Sequence, residues 1–273
     1  NPGFLKLAKI TWDTKAAVLE KIIQYERVHK IKDMNELKRR LGEDRRFFSY
    51  FHPALDDEPI IFVQVALTNG LGKSIQEIMK PSSEGAKKYD TATFYSISNC
   101  QEGLSRVTLG NFLIKRVVYE IQEELPNIKN FGTLSPIPGF RDWFTTLDEK
   151  IIQNILGKIP YNNVSFLKSS NLKVGDGRIV SNKHAITKLV SHYLMNEKNK
   201  KGLPINDVCR FHLGNGAIID DININANVSE VGLNRSFGVM VNYLYELKNI
   251  EKNHEEYINN KKIIISSQLK KKL

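Results

Sequence analysis

Two cysteines, Cys100 and Cys209, are all the thiols in 273 residues. That is too few for a disulfide framework, and their spacing is not that of a metal site; a reducing compartment is the expectation. Long apolar runs are missing as well, and no stretch reaches the length of a membrane-crossing helix. The opening NPGFLKLAKITWD lacks the apolar core of a secretory signal and has no initiator methionine, so a fragment or processed form is expected. Zinc-finger spacing, an RNA-binding aromatic signature, a basic helix with heptads and internal repeats are all absent. What is in excess is positive charge, a formal +10. Such a balance suits an anionic partner: nucleic acid, a membrane surface or a phosphorylated ligand. The cations are spread along the chain with one run at Lys270–Lys272, so charge alone does not single out nucleic acid.

Hydrophobic content of 41% and charged content of 26% are those of an ordinary globular chain, long enough for one large domain or two small ones. Residues 15–28 place Ala17, Leu19, Ile22 and Ile23 at helical spacing, with Asp13 or Thr14 as the expected cap. A second helix is expected over Met34–Leu41, started by Asp33 and stopped by Gly42. Phe47–Phe51 reads as a strand whose leading Arg45 and Arg46 form a solvated edge. Ile60–Leu67 is the near-continuous apolar run of a buried strand, and Thr91–Ser98 is its partner across a surface excursion with a short helix at 74–79. Leu113, Ile114, Val117, Val118, Ile121 and Leu125 define an amphipathic helix, capped by Asn111 and ended by Pro126. Residues 145–182 read as peripheral, Lys183–Asn196 as a helix, and 238–246 as a strand or a final helix.

The stretch FGTLSPIPGFRDWF, 131–144, organises the rest. Pro136 cannot donate a ladder hydrogen bond and drives Ser135 towards extended backbone. A strand ending at Leu134 would hand over to a loop stiffened by Pro136 and Pro138, which presents the Ser135 hydroxyl with little freedom. Upstream, Gly110 opens the amphipathic helix, where free N–H groups and the helix dipole suit a phosphate. Strand, loop, helix, strand and serine make a compact unit, which places Gly110 and Ser135 near one cleft if the flanking strands are parallel neighbours. Downstream, FHLGNGA puts His212 in a strand-like segment before two glycines. On residues alone, Ser135 fits a proline-rich turn, His212 a satisfied core histidine, and His184 and His192 surface or helix-packing positions.

Taken together, LGNFLIKRVV (109–118), LSPIPGF (134–140), FHLGNGA (211–217), FVQVALT (62–68), FYSIS (94–98) and MVNYLY (240–245) resemble the malonyl-CoA decarboxylase family, in family order and over nearly the whole chain. The resemblance implies an α+β fold: a GNAT-like mixed, twisted sheet flanked by helices, with an acyl-CoA cleft between two splayed central strands. It implies a single catalytic domain over 1–273, with a helical lead-in (1–46), a core (47–250) and a basic tail (251–273). The family's N-terminal helical association domain is not in this sequence, which leaves the oligomeric state unreadable and a homo-oligomer open to the full-length protein. The implied activity is a carboxy-lyase reaction, malonyl-CoA to acetyl-CoA and CO2 in fatty-acid metabolism, with no metal or organic cofactor. The implied catalytic residues are Ser135, His212 and Tyr245. The implied malonyl-CoA contacts are Ser105, Arg106, Val107, Thr108, Leu109, Gly110 and Asn111.

One departure stands out. Thr108 replaces a glutamate of the family's active site and cannot supply its charge. An acyl-CoA acyltransferase of the same fold, or a degenerate acyl-CoA-binding paralogue, is the alternative. Loss of CO2 from a malonyl thioester leaves an enolate that needs a proton. Ser135 is the candidate to orient the leaving carboxylate and His212 the candidate acid, with an ordinary pKa of about 6.5, although the resemblance equally allows proton transfer by Ser135 with help from His212. Family members occur in mitochondria, peroxisomes and cytosol, and the terminal Lys-Lys-Leu is a poor match to a peroxisomal address.

Overall fold

The computed structural model describes residues 4–80, 88–100, 110–169 and 171–273. The chain divides into two compact units, one of residues 1–72 and 78–133, the other of 73–77 and 134–273.

The first unit runs β1 (Lys6–Lys9), α1 (Ala16–Tyr25), α2 (Met34–Arg40), β2 (Arg45–Phe51), β3 (Pro59–Thr68), the short α3 (Ile75–Met79, shared with the second unit's 73–77 segment), β4 (Thr91–Asn99), α4 (Gly110–Glu124) and β5 (Asn130–Thr133). Its sheet has the order β1-β2-β3-β4-β5, antiparallel throughout except for the parallel pair β4/β5. That parallel pair, joined through α4, is the condition set on the strand–helix–strand unit. β4 pairs with β5 only over Thr91–Phe94, so among the described residues its second half has β3 alone as strand neighbour.

Alternation along β2 decides what covers each face. Phe47 joins Val18, Leu19, Ile22 and Leu37 in the core beneath α1 and α2. On the opposite face Tyr50 donates to the Leu113 carbonyl of α4 at 3.4 Å, and Arg46 binds Glu124 at the far end of the same helix. Arg45 and Arg46 are therefore not a solvated edge. Both are buried: Arg45 bonds Asp44, and Arg46 shares Glu124 with Lys9. Asp33 caps α2 through the Glu36 N–H as expected. Lys15, whose side chain makes no capping bond and pairs with Asp57 instead, stands at the start of α1 in place of Asp13 or Thr14, and α4 already begins at Gly110, which puts Asn111 inside its first turn.

The second unit runs β6 (Ser135–Pro136), α5 (Phe140–Thr146), α6 (Glu149–Leu156), 3-10 turns at Tyr161–Asn163 and Ser165–Lys168, α7 (Gly177–Ser181), α8 (Lys183–Met195), α9 (Asp207–Gly214), β7 (Ile218–Asn223), α10 (Glu230–Ser236), β8 (Met240–Leu244), α11 (Ile250–Asn260) and α12 (Ser267–Lys270). β8 pairs antiparallel with both β6 and β7. Residues 145–182 are more structured than their polarity suggests, and Ile152, Leu156, Val164, Leu167 and Ile179 are buried. The C-terminal residues are likewise no loose tail. Ile219 donates to the Ile264 carbonyl at 3.0 Å and Ser266 donates back to Ile219 at 2.9 Å, which lays this segment along the outer side of β7. Leu269 is fully buried and Lys272 binds Asp221.

Candidate active site

Ser135 opens β6 opposite Val241 of β8. Residues directly opposite in an antiparallel pair point to the same face, and on a strand that face repeats every second residue. Val241 and Tyr243 therefore share a face with Ser135, and Tyr245 follows one residue past the end of β8. His212 meets them there, from α9.

His212 is the first correction to the sequence reading: it lies on a helix, not a strand. The helix starts at Asn206, whose side chain accepts from the Cys209 N–H at 2.8 Å, with Asp207 in the first turn. It ends because Gly216 takes a left-handed backbone (φ 79°), returning its N–H to Leu213 while Ala217 donates to the His212 carbonyl. A Cβ at Gly216 would lie 2.2 Å from the Ile250 carbonyl oxygen, so no other residue fits. The two glycines of FHLGNGA end a helix, and the Asn-Asp pair before it was the readable signal.

The Ser135 Oγ lies 3.1 Å from His212 Nε2, and His212 Nδ1 lies 2.8 Å from the Tyr245 hydroxyl. Tyr243 stacks on the imidazole, with ring centroids 4.5 Å apart and planes 26° from parallel, and Phe211 meets it edge-on. Tyr243 was not among the expected site residues, although the alternation of MVNYLY carries the signal. All three expected catalytic side chains are buried: Ser135 is 5% exposed, His212 3% and Tyr245 2%.

Burial lowers the His212 pKa from 6.5 to about 3, because the charged ring loses its water and, among the described residues, gains no carboxylate. The ring is neutral at neutral pH, which corrects the expectation of an ordinary histidine. Burial also raises the Tyr245 pKa well above its usual value and keeps its proton on the oxygen. Among the described residues that hydroxyl has one hydrogen-bond partner, His212 Nδ1. If Nδ1 held the ring proton, the tyrosine proton would be buried without an acceptor, at a cost of about 1–3 kcal/mol. The satisfied arrangement has Tyr245 donating to Nδ1 and Nε2–H donating to Ser135, which then directs its own proton to an acceptor other than His212.

Of the other expected site residues, Ser105, Arg106, Val107, Thr108 and Leu109 lie outside the described residues, and Gly110 and Asn111 open α4. His192 stacks on Trp143, as a helix-packing residue would. Among the described residues no three His, Cys, Asp or Glu side chains converge as a metal ion requires, and no helix is long and apolar enough to cross a membrane.

The family model for the malonyl-CoA decarboxylase C-terminal domain matches residues 3–273. The chain belongs to the malonyl-CoA decarboxylase family. The mitochondrial malonyl-CoA decarboxylase of Anser anser anser is 38% identical over 98% of this chain, which spans 58% of the goose protein. The crystal structure of malonyl-CoA decarboxylase from Rhodopseudomonas palustris is 42% identical, with a TM-score of 0.89 over 99% of this chain and 67% of that one. The loading GNAT-like domain of CurA from Lyngbya majuscula, at 11% identity and a TM-score of 0.53 over 90% of this chain and 98% of that one, shares the fold alone. The fold is thus the mixed α+β, GNAT-like one that the resemblance implied.

Proposed function

We propose that residues 1–273 form one catalytic domain that decarboxylates malonyl-CoA to acetyl-CoA and CO2. The observation that carries this reading is the buried hydroxyl–imidazole–hydroxyl chain of Ser135, His212 and Tyr245. Ser135 donates to the malonyl carboxylate and holds it out of the thioester plane. That carboxylate brings a negative charge beside a ring that otherwise rejects protons, and an opposite charge nearby favours the imidazolium. The bond between Cα and the carboxylate carbon breaks, its electron pair enters the thioester carbonyl, and CO2 departs. A proton then passes from Nε2 through the Ser135 oxygen to Cα, and the ring returns to the neutral form that burial favours. One solvent proton per turnover closes the balance. The solvent proton enters on Nδ1 as the ring becomes an imidazolium, where the Tyr245 oxygen accepts from it. After Nε2 gives up its proton the ring exchanges back to the Nε2–H form, and the Nδ1–Tyr245 bond, in either direction, keeps the ring facing the serine.

The resemblance assigns the CoA moiety to residues 105–111, and the backbone N–H groups where α4 begins suit a phosphate. The proposed steps use side chains and substrate only. The test is incubation with malonyl-CoA, with and without an amine acceptor, following acetyl-CoA and CO2. Release without acceptor that disappears in Ser135→Ala and His212→Ala is the expected result. Turnover only with the amine would make the protein an acyltransferase, and CoA binding with no turnover would make it a binding module.

A further inference from the structure

We propose that the Pro138 carbonyl is the anchor that sets the Ser135–His212 distance, and that Tyr193 and Asn206, which both bind it, are positioning residues for the reaction. This rests on the function proposed above. The Pro138 oxygen accepts from the Tyr193 hydroxyl at 3.0 Å and from Asn206 Nδ2 at 2.8 Å. One donor would satisfy this carbonyl; it has two, from two different helical segments.

Asn206 does two things with one amide. Its oxygen caps α9, the helix that carries His212, and its nitrogen holds the loop three residues beyond Ser135. The amide cannot be turned over, because the Cys209 N–H only donates and the Pro138 carbonyl only accepts. Between anchor and serine the chain is stiff: Pro136 and Pro138 each fix a backbone angle, and Ile137 between them is fully buried. A shift at Pro138 is therefore passed to Ser135 rather than absorbed. Tyr193 is itself fixed, its ring set against Phe140 and Trp143 at 5.6 and 5.2 Å. Its hydroxyl also sits where a Cβ on Gly139 would come within 2.9 Å, and Gly139 has the left-handed φ of 78°. The serine loop, α8 and α9 thus converge on one oxygen atom. Reacting groups misplaced by about 1 Å lose on the order of 100-fold in rate, so this oxygen has catalytic leverage without touching substrate.

The test uses Tyr193→Phe, Asn206→Ser and the double variant. Serine is a competent helix cap, so Asn206→Ser removes the anchor bond and keeps the cap. Each single variant is expected to lower kcat a few-fold and the double by about tenfold or more, with KM for malonyl-CoA within about twofold. In a Ser135→Ala background the same double should change the residual rate by less than about twofold, since there is no hydroxyl left to position. An equal loss in both backgrounds, or a loss in KM instead of kcat, overturns the proposal. A second readout needs no substrate: in ¹⁵N-histidine NMR, the His212 Nε2–H should exchange with water faster in each variant than in the wild type. Unchanged exchange overturns the anchor. If the wild type does not turn over malonyl-CoA, the functional reading fails while the ring signal still decides the anchor, and if the double does not fold the single variants carry the same readout.

Discussion

Glu26 in the first unit and His212 in the second are both buried ionisable side chains, and their surroundings are built in opposite ways. In the first unit Glu26, at the end of α1, accepts from the Val28 and His29 N–H groups, the Ser96 and Ser98 hydroxyls and the Gln64 amide. Gln64 is held in turn by Tyr95 and Arg40. In the second unit His212 has two hydroxyls and the faces and edges of aromatic rings. The five donors on Glu26 come from a helix end and neighbouring strands, so the network ties α1 to β3 and β4 and has no position left to give away. His212 has one hydroxyl partner per nitrogen, Tyr245 on Nδ1 and Ser135 on Nε2. A saturated group serves the fold, and a sparsely partnered one is poised for chemistry.

The comparison breaks most visibly in acid. The folded-state pKa of His212 lies below the unfolded value, so between about pH 6.5 and 3 the unfolded chain binds the extra proton, and stability falls with pH across that window. The full linkage is on the order of 5 kcal/mol. Denaturant midpoints of the wild type and His212→Gln should draw together as the pH falls through the window; parallel curves would mean that the ring is not held neutral. Next in size, His212→Ala should cost about 10³-fold in kcat for malonyl-CoA decarboxylation, read by CO2 release. Glu26→Gln should do the reverse: about 3 kcal/mol lost in chemical denaturation, because a second amide faces the five donors, with kcat unchanged. The smallest effect is expected for Tyr245→Phe, which leaves Nδ1 without its donor. It should lower kcat about tenfold and move the ring proton towards Nδ1, as seen in the histidine ¹⁵N shifts.

Strands with strong periodicity were readable to within a residue or so: β3 and β4 lie where apolar runs put them. The site was readable as a set of residues but not as an arrangement. His212 was placed on a strand because FHL is short and apolar, and in an eight-residue helix tertiary packing outweighs local pattern. Arg45 and Arg46 looked solvated because an adjacent Asp44 does not by itself announce a buried pair, and Glu124, the partner of Arg46, lies on a distant helix. The state of the imidazole was beyond the sequence altogether. Its pKa follows from burial among Phe211 of its own helix, Tyr243 of β8 and Tyr245 just beyond it, which no spacing encodes.

The segment laid along β7 by Ile264 and Ser266 also bears on solubility. β7 pairs with β8 on one side, and its other side carries the backbone groups that would template a foreign strand. Those few residues act as a shield against self-association. Removing residues 262–273 should leave Ser135 and His212 in place yet produce a protein that aggregates with concentration, whereas additions beyond Leu273 should be tolerated.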